Sequence, residues 1–266
     1  MKDPMWITIL RIAHIVFGFA AFLIAPAVLA MVKGGKQHRR WGKIYFWMMA
    51  CVAATALVLG FYRPILFLAL LAIFSFYLAF SGYRVLFAKR PLQGQGPKWM
   101  DWMGAVLVFG AGLALIILGL LKPTTTWARM APMALVFGAT GVIFGVKDGW
   151  RFLHPPKDKN FWWYEHMGGM IGSYIAAVSA FSAVNFHFLA PVIRWLWPTV
   201  IGTPLITIWV NYYRRKFARA AGHNLVQPQQ KTETHHGNAE PQPKPTTEAR
   251  RHGEKPNKAF STADFR

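Results

Sequence analysis

Residues 102–121 read WMGAVLVFGAGLALIILGLL, a run of 20 residues without one charged side chain. An α-helix rises about 1.5 Å per residue, so ~20 apolar residues match the ~30 Å hydrocarbon core of a bilayer. Inside lipid the backbone must satisfy its own hydrogen bonds, and a lone segment does that only as a helix. Six further stretches are predominantly apolar, with at most one arginine each: Trp6 to Val32, Ile44 to Phe61, Ile65 to Val85, Met130 to Val146, His166 to Phe186 and Pro191 to Tyr213. The fold expected is therefore all-α, a polytopic bundle of seven transmembrane helices within residues 1–213.

The loops set the orientation. Lys33, Lys36, Arg39, Arg40 and Lys43 follow the first span. Arg84, Lys89, Arg90 and Lys98 follow the third, and Lys147, Arg151, Lys157 and Lys159 follow the fifth. Arg214, Arg215, Lys216 and Arg219 come directly after the seventh, whereas the other side carries only Lys2, Arg11, Arg63, Lys122, Arg129 and Arg194. Short loops rich in Lys and Arg stay in the cytoplasm. The N-terminus is expected outside, the C-terminus in the cytoplasm, and the protein in a bacterial inner membrane. Tryptophans near the span ends, among them Trp6, Trp41, Trp99, Trp127 and Trp163, suit the headgroup layer.

The net charge of +20 is no sign of nucleic-acid binding here. The excess gathers on one face of a membrane protein, where its partners are the bilayer and anionic lipid at the cytoplasmic face. Acids are scarce: Asp3, Asp101, Asp148, Asp158 and Glu165 are the five of the first 221 residues. The single cysteine, Cys51, excludes an intrachain disulfide. Residues 214–266 form the second region expected, a basic juxtamembrane segment and a cytoplasmic tail. From Gln227 onward Gln, Pro, Thr, Glu and Lys dominate, too polar to bury a core, so disorder is expected.

Two internal features stand out. Ser81-Gly82-Tyr83-Arg84 and Asp148-Gly149-Trp150-Arg151 end the third and fifth spans alike. In the sixth span Gly168, Gly172, Ala176 and Ala180 make one row of small residues, and Gly169, Ser173 and Ala177 make the next. Such rows let helix backbones approach closely, which marks the sixth helix as central. Pro198, Gly202 and Pro204 mark the seventh as the span to kink.

Ionisable groups in a membrane domain usually face the protein interior. His14 and His187 fall in an outer layer. His38, His154 and His166 fall in an inner one, with Arg39, Arg84, Asp101, Asp148 and Glu165 around them; Asn185 ends the sixth span. As a bland alternative, these charges position helices and bind lipid headgroups.

Ile12-Ala13-His14, the run Gly34 to Tyr45, Ser81 to Arg84, Asp101-Trp102, Glu165-His166-Met167, Asn185 and Gly202-Thr203-Pro204 carry a family likeness. On them the chain resembles an uncharacterised bacterial family of predicted multi-pass membrane proteins, domain of unknown function 2306. The resemblance spans nearly all of residues 8–213 and implies a membrane fold without an activity. His187 and the tail fall outside it.

Three functions fit these residues. In a redox or electron-transfer protein, b-type haem would be held by histidine pairs, His38 with His166 and His14 with His187, since helical bundles hold haem by imidazoles from different helices. A non-enzymatic carrier, channel or assembly factor would use the inner charges as gate or docking surface. A zinc-dependent hydrolase at the cytoplasmic interface would draw on His38, His166, Glu165 and Asp101.

Overall fold

In the computed structural model, described for residues 3–62 and 65–226 with side chains through 219, seven helices follow one another. They are α1 Met5–Ala30, α2 Lys36–Tyr62, α3 Leu66–Arg84, α4 Trp99–Leu121, α5 Thr125–Leu153, α6 Phe161–Asn185 and α7 Pro191–Val226. Two short 3₁₀ turns, Val85–Phe87 and Pro91–Gln93, lie between α3 and α4. No strand occurs among the described residues. The expected tail from Gln227 lies outside them.

Six helices, α1 to α6, are long and apolar enough to cross a membrane by length and composition. The chain is a multi-pass helical membrane protein on those grounds. It divides into a unit Met1–Arg215 and a unit Lys216–Arg266. Helix α7 contains Pro198 and Pro204 without an interruption of the helix.

Helix ends differ from the apolar limits. Helix α2 begins at Lys36, eight residues before the apolar run, and α6 begins at Phe161, five before His166. Hydropathy marks where lipid begins, whereas a helix continues through polar and aromatic residues until its capping groups run out. At α5 the Thr124 hydroxyl oxygen accepts the Trp127 N–H at 3.3 Å, an ordinary N-cap. His166 therefore sits in the second turn of its helix and does not open it.

The interior has two clusters that meet on α3. Phe67, Phe74, Tyr77 and Leu78 of α3 pack with Val108 and Leu115 of α4, Met133 and Phe137 of α5, Ala183 of α6 and Trp195 of α7. Ala79 of the same helix packs with Ala21 and Ala25 of α1 and with Tyr45 and Met49 of α2. Helix α3 thus takes the central place that the small residues suggested for α6. It is apolar on all faces until Arg84, with its buried residues from Phe67 to Gly82 spread around the helix and only Leu66 and Leu68 at its start exposed. Helices α1, α2, α3 and α6 form a ring in which α2 and α6 lie on one diagonal; α1 touches α6 more sparsely than the other neighbours touch.

Close approach is concentrated at glycines. A Cβ on Gly169 would lie 2.7 Å from both Gly82 Cα and the Leu78 carbonyl, so α3 and α6 cross almost backbone to backbone. Of the two α6 rows, the one holding Gly169 and Ser173 is packed, while Gly168 meets nothing within 4 Å. Helices α4 and α5 cross the same way, with a Cβ on Gly112 falling 2.7 Å from the Gly138 carbonyl. Gly169→Ala is expected to cost about 1–3 kcal/mol by forcing the crossing apart. Gly168→Ala should be nearly silent in the same detergent melting assay, and equal losses would remove the preferred face.

Candidate functional site

Helices α2, α4 and α6 begin, and α1, α3 and α5 end, at one end of the bundle, called the basic end below. Ionisable side chains form two groups there.

The first group is neutral and tightly paired. Arg84 donates from Nε to Asp101 Oδ1 at 2.8 Å and from Nη2 to Oδ2 at 2.9 Å, a fork-on-fork pair. Asp101 Oδ2 also accepts the Lys98 N–H at 2.7 Å, which closes the first turn of α4. On α5, Asp148 accepts the Tyr77 hydroxyl at 2.5 Å and pairs with Arg151 at 3.1 Å. Arg151 reaches Glu165 at 3.0 Å, and Lys147 reaches the same carboxylate at 2.8 Å. Tyr77, Arg84, Asp101 and Arg151 border a cavity of about 40 Å³ capped by Pro91, Pro97 and Pro156. That volume suits a few waters, each needing ~10–15 Å³.

The second group is imidazole. His38 of α2 and His166 of α6 approach with ring centroids 6.4 Å apart and planes at 77°. His166 Nδ1 lies 2.8 Å from the Gly82 carbonyl, and His38 Nδ1 lies 3.3 Å from the Val28 carbonyl. A carbonyl only accepts, so each Nδ1 carries the proton and each Nε2 keeps its lone pair. Two helical turns deeper on the same two helices, the Tyr45 hydroxyl and the Ser173 hydroxyl are bonded at 2.8 Å, both buried. The two layers repeat at the same spacing, His38 to Tyr45 and His166 to Ser173.

Lys33 and Lys89 flank the pair. The Lys33 ammonium acts electrostatically on His38 and the Lys89 ammonium on His166. Lys89 Nζ sits 4.5 Å from the centre of the Trp162 ring, and Lys33 Nζ sits 5.9 Å from that of Trp209. Burial holds both lysines below the usual lysine range, and at Lys89 the guanidinium of Arg39 adds to it.

Other sequence candidates are placed elsewhere. His14 Nδ1 and the Thr55 hydroxyl oxygen are 2.9 Å apart, while His187 is exposed and accepts from Arg194 at 3.0 Å. No ring contact or hydrogen bond joins His14 to His187 among the described residues. Asn185 is exposed, and its amide donates to the Phe181 carbonyl at 2.8 Å, an arrangement that only finishes α6. Arg39 is exposed on α2.

Asp101 and Glu165 are consumed by arginine and lysine, so the donors of the zinc hydrolase do not converge. Among the described residues no group of three or more His, Cys, Asp or Glu side chains stands where it could hold a metal ion. Glu165 cannot share the face of His166, because neighbours in a helix point about 100° apart. The backbone carbonyl of Gly82 orients the imidazole in place of a carboxylate.

Comparison of the chain with family models, with curated proteins and with solved structures gives no match.

Proposed function

We propose that this chain is a seven-span bacterial inner-membrane protein that holds b-type haem between His38 and His166 and passes single electrons through it. One observation carries the reading: two imidazoles on diagonal helices, 6.4 Å apart, each with Nδ1 fixed by a carbonyl. A metal–nitrogen bond of about 2 Å plus a ring radius of about 1 Å, taken twice, separates the centroids of two axial imidazoles by ~6 Å. Fixing Nδ1 selects the tautomer with a basic Nε2 and stops the ring from turning, as ligating histidines require. A Cβ on Gly42, one turn beyond His38 on the same face, would meet nothing within 4 Å, so the helix beside the ring is open. Bound haem supplies the one-electron couple. The chain supplies two neutral nitrogen donors, with the Trp162 ring one turn before His166 and the buried Tyr45 hydroxyl two turns below His38.

The absorption spectrum of the purified full-length protein tests this. A Soret band with sharp reduced α and β bands is expected, either as purified or after addition of hemin. A colourless protein that takes up no added hemin would overturn the reading.

The basic loops support an orientation with the N-terminus outside and the basic end in the cytoplasm. A reporter active only outside the cytoplasm is expected to be silent when fused after Arg219 and active when inserted at Thr125. The reverse pattern would invert the topology. Nothing in the geometry favours the carrier or the zinc hydrolase over haem.

A further inference from the structure

The membrane domain holds far more Lys and Arg than its five acids can match, and most of those cations are exposed, whereas Lys33 and Lys89 at the basic end are half-buried. Of its five acids, Asp101 takes Arg84, Asp148 takes Arg151, and Glu165 takes Arg151 and Lys147. Asp3 takes Arg11 at the far end, and Asp158 accepts the N–H of Asn160. No ion pair joins Lys33 or Lys89 to an acid among the described residues, yet both side chains are half-buried. Lys33 Nζ donates to the carbonyl of Leu29, and Lys89 rests on Trp162. An ammonium withdrawn from water without a counter-charge is unfavourable, and an indole face compensates only part of that cost. The two cations stand beside one site: Lys33 lies five residues before His38, and Lys89 rests on Trp162, one turn before His166 on α6.

We infer that Lys33 and Lys89 are the binding groups for two carboxylates of one ligand seated at the His38–His166 pair, which on the haem reading above are the two propionates. A porphyrin held by two axial imidazoles still turns freely about the nitrogen–metal–nitrogen axis. Two cations at fixed places beside that axis select one rotation, with the carboxylates toward the loops and the apolar edge toward Tyr45 and Ser173. The same residues restrict the ligand to a dianion at this edge and disfavour an esterified or otherwise neutral porphyrin.

The test compares hemin with hemin dimethyl ester, which keeps the iron and the ring but loses both charges. Each is titrated into the full-length protein in detergent and into Lys33→Gln, Lys89→Gln and the double variant, followed by the Soret band. Wild type is expected to bind the free acid more tightly than the ester. Each single variant should lower that preference by about tenfold, the size of one charge-assisted hydrogen bond, and the double variant should abolish it. Arg90→Gln removes an exposed cation at the same end and should leave the preference unchanged. Both porphyrins binding with a preference that the lysine variants do not alter would overturn the lysine assignment and leave the haem reading standing. An equal loss of preference in Arg90→Gln would also overturn it, by pointing to general charge attraction. Uptake of neither porphyrin would overturn the haem reading and the lysine roles together.

Discussion

His166→Ala is expected to remove the Soret band of the purified protein while the chain remains inserted and folded, and His38→Ala should do the same. If His38 and His166 hold haem as proposed, losing either imidazole removes one of its two protein anchors, and stoichiometric haem should fall to a small residue. Imidazole added to the detergent solution should restore part of the six-coordinate spectrum, because the vacated volume is that of the ring. The alternative is that His166 only ties α6 to α3 through its 2.8 Å bond to the Gly82 carbonyl. That bond accounts for about 1 kcal/mol of stability, and its loss would lower the melting temperature with no change in any bound species. A spectrum unchanged in His166→Ala would leave only this structural role. His14→Ala serves as comparison. His14 bonds to Thr55 and contacts neither inner histidine, so it should keep the inner spectrum.

What the sequence revealed about this architecture depended on how local each signal was. The six helices α1 to α6 could be read from composition because lipid demands ~20 apolar residues in a row, whatever the partners. The true start of α2 at Lys36 was hidden, because His38-Arg39-Arg40 looks like a loop by charge and becomes helix only through its continuation. Residues Trp162 to Tyr164 hid the start of α6 in the same way. Shared depth is what singles out the inner histidines in the sequence, and in the fold the rings of His38 and His166 lie 6.4 Å apart. His14 and His187, singled out on the same ground, do not meet, since depth alone says nothing about which helices are diagonal neighbours. Partner choice was out of reach throughout. Arg84 and Asp101 could be seen as charges at helix ends, but their pairing joins α3 to α4 across 17 positions of sequence. The missed lysines show the limit most clearly. Lys33 and Lys89 read as loop charges that set orientation, and only their half-burial without an ion-pair partner sets these two apart at the basic end. Gly112 and Gly138 went unnoticed because a GxxxG-like row signals contact without naming the partner helix.

Asp101→Ala is expected to be the most damaging single change at the basic end. The side chains of Arg84 and Asp101 are only 17% and 10% exposed, and the carboxylate satisfies three donors at once, two on Arg84 and the Lys98 N–H. Removing it strands a buried guanidinium and uncaps α4, and breaking a buried pair from one side costs about 3–5 kcal/mol. The adjoining cavity of about 40 Å³ admits water to the stranded Arg84, which places the expected loss near 3 kcal/mol, the lower end. Arg84→Met should cost less, because Asp101 keeps the Lys98 N–H as a partner. The double variant Arg84→Met with Asp101→Leu should recover much of the loss, since two apolar side chains of similar volume leave no charge unpaired. Unfolding in mixed detergent micelles, measured for the four proteins, gives the coupling directly. A coupling of roughly 2 kcal/mol is expected for groups in direct contact. Additive effects, or single losses under about 0.5 kcal/mol, would mean the pair is as well hydrated as an exposed one and that the cavity is open to bulk water.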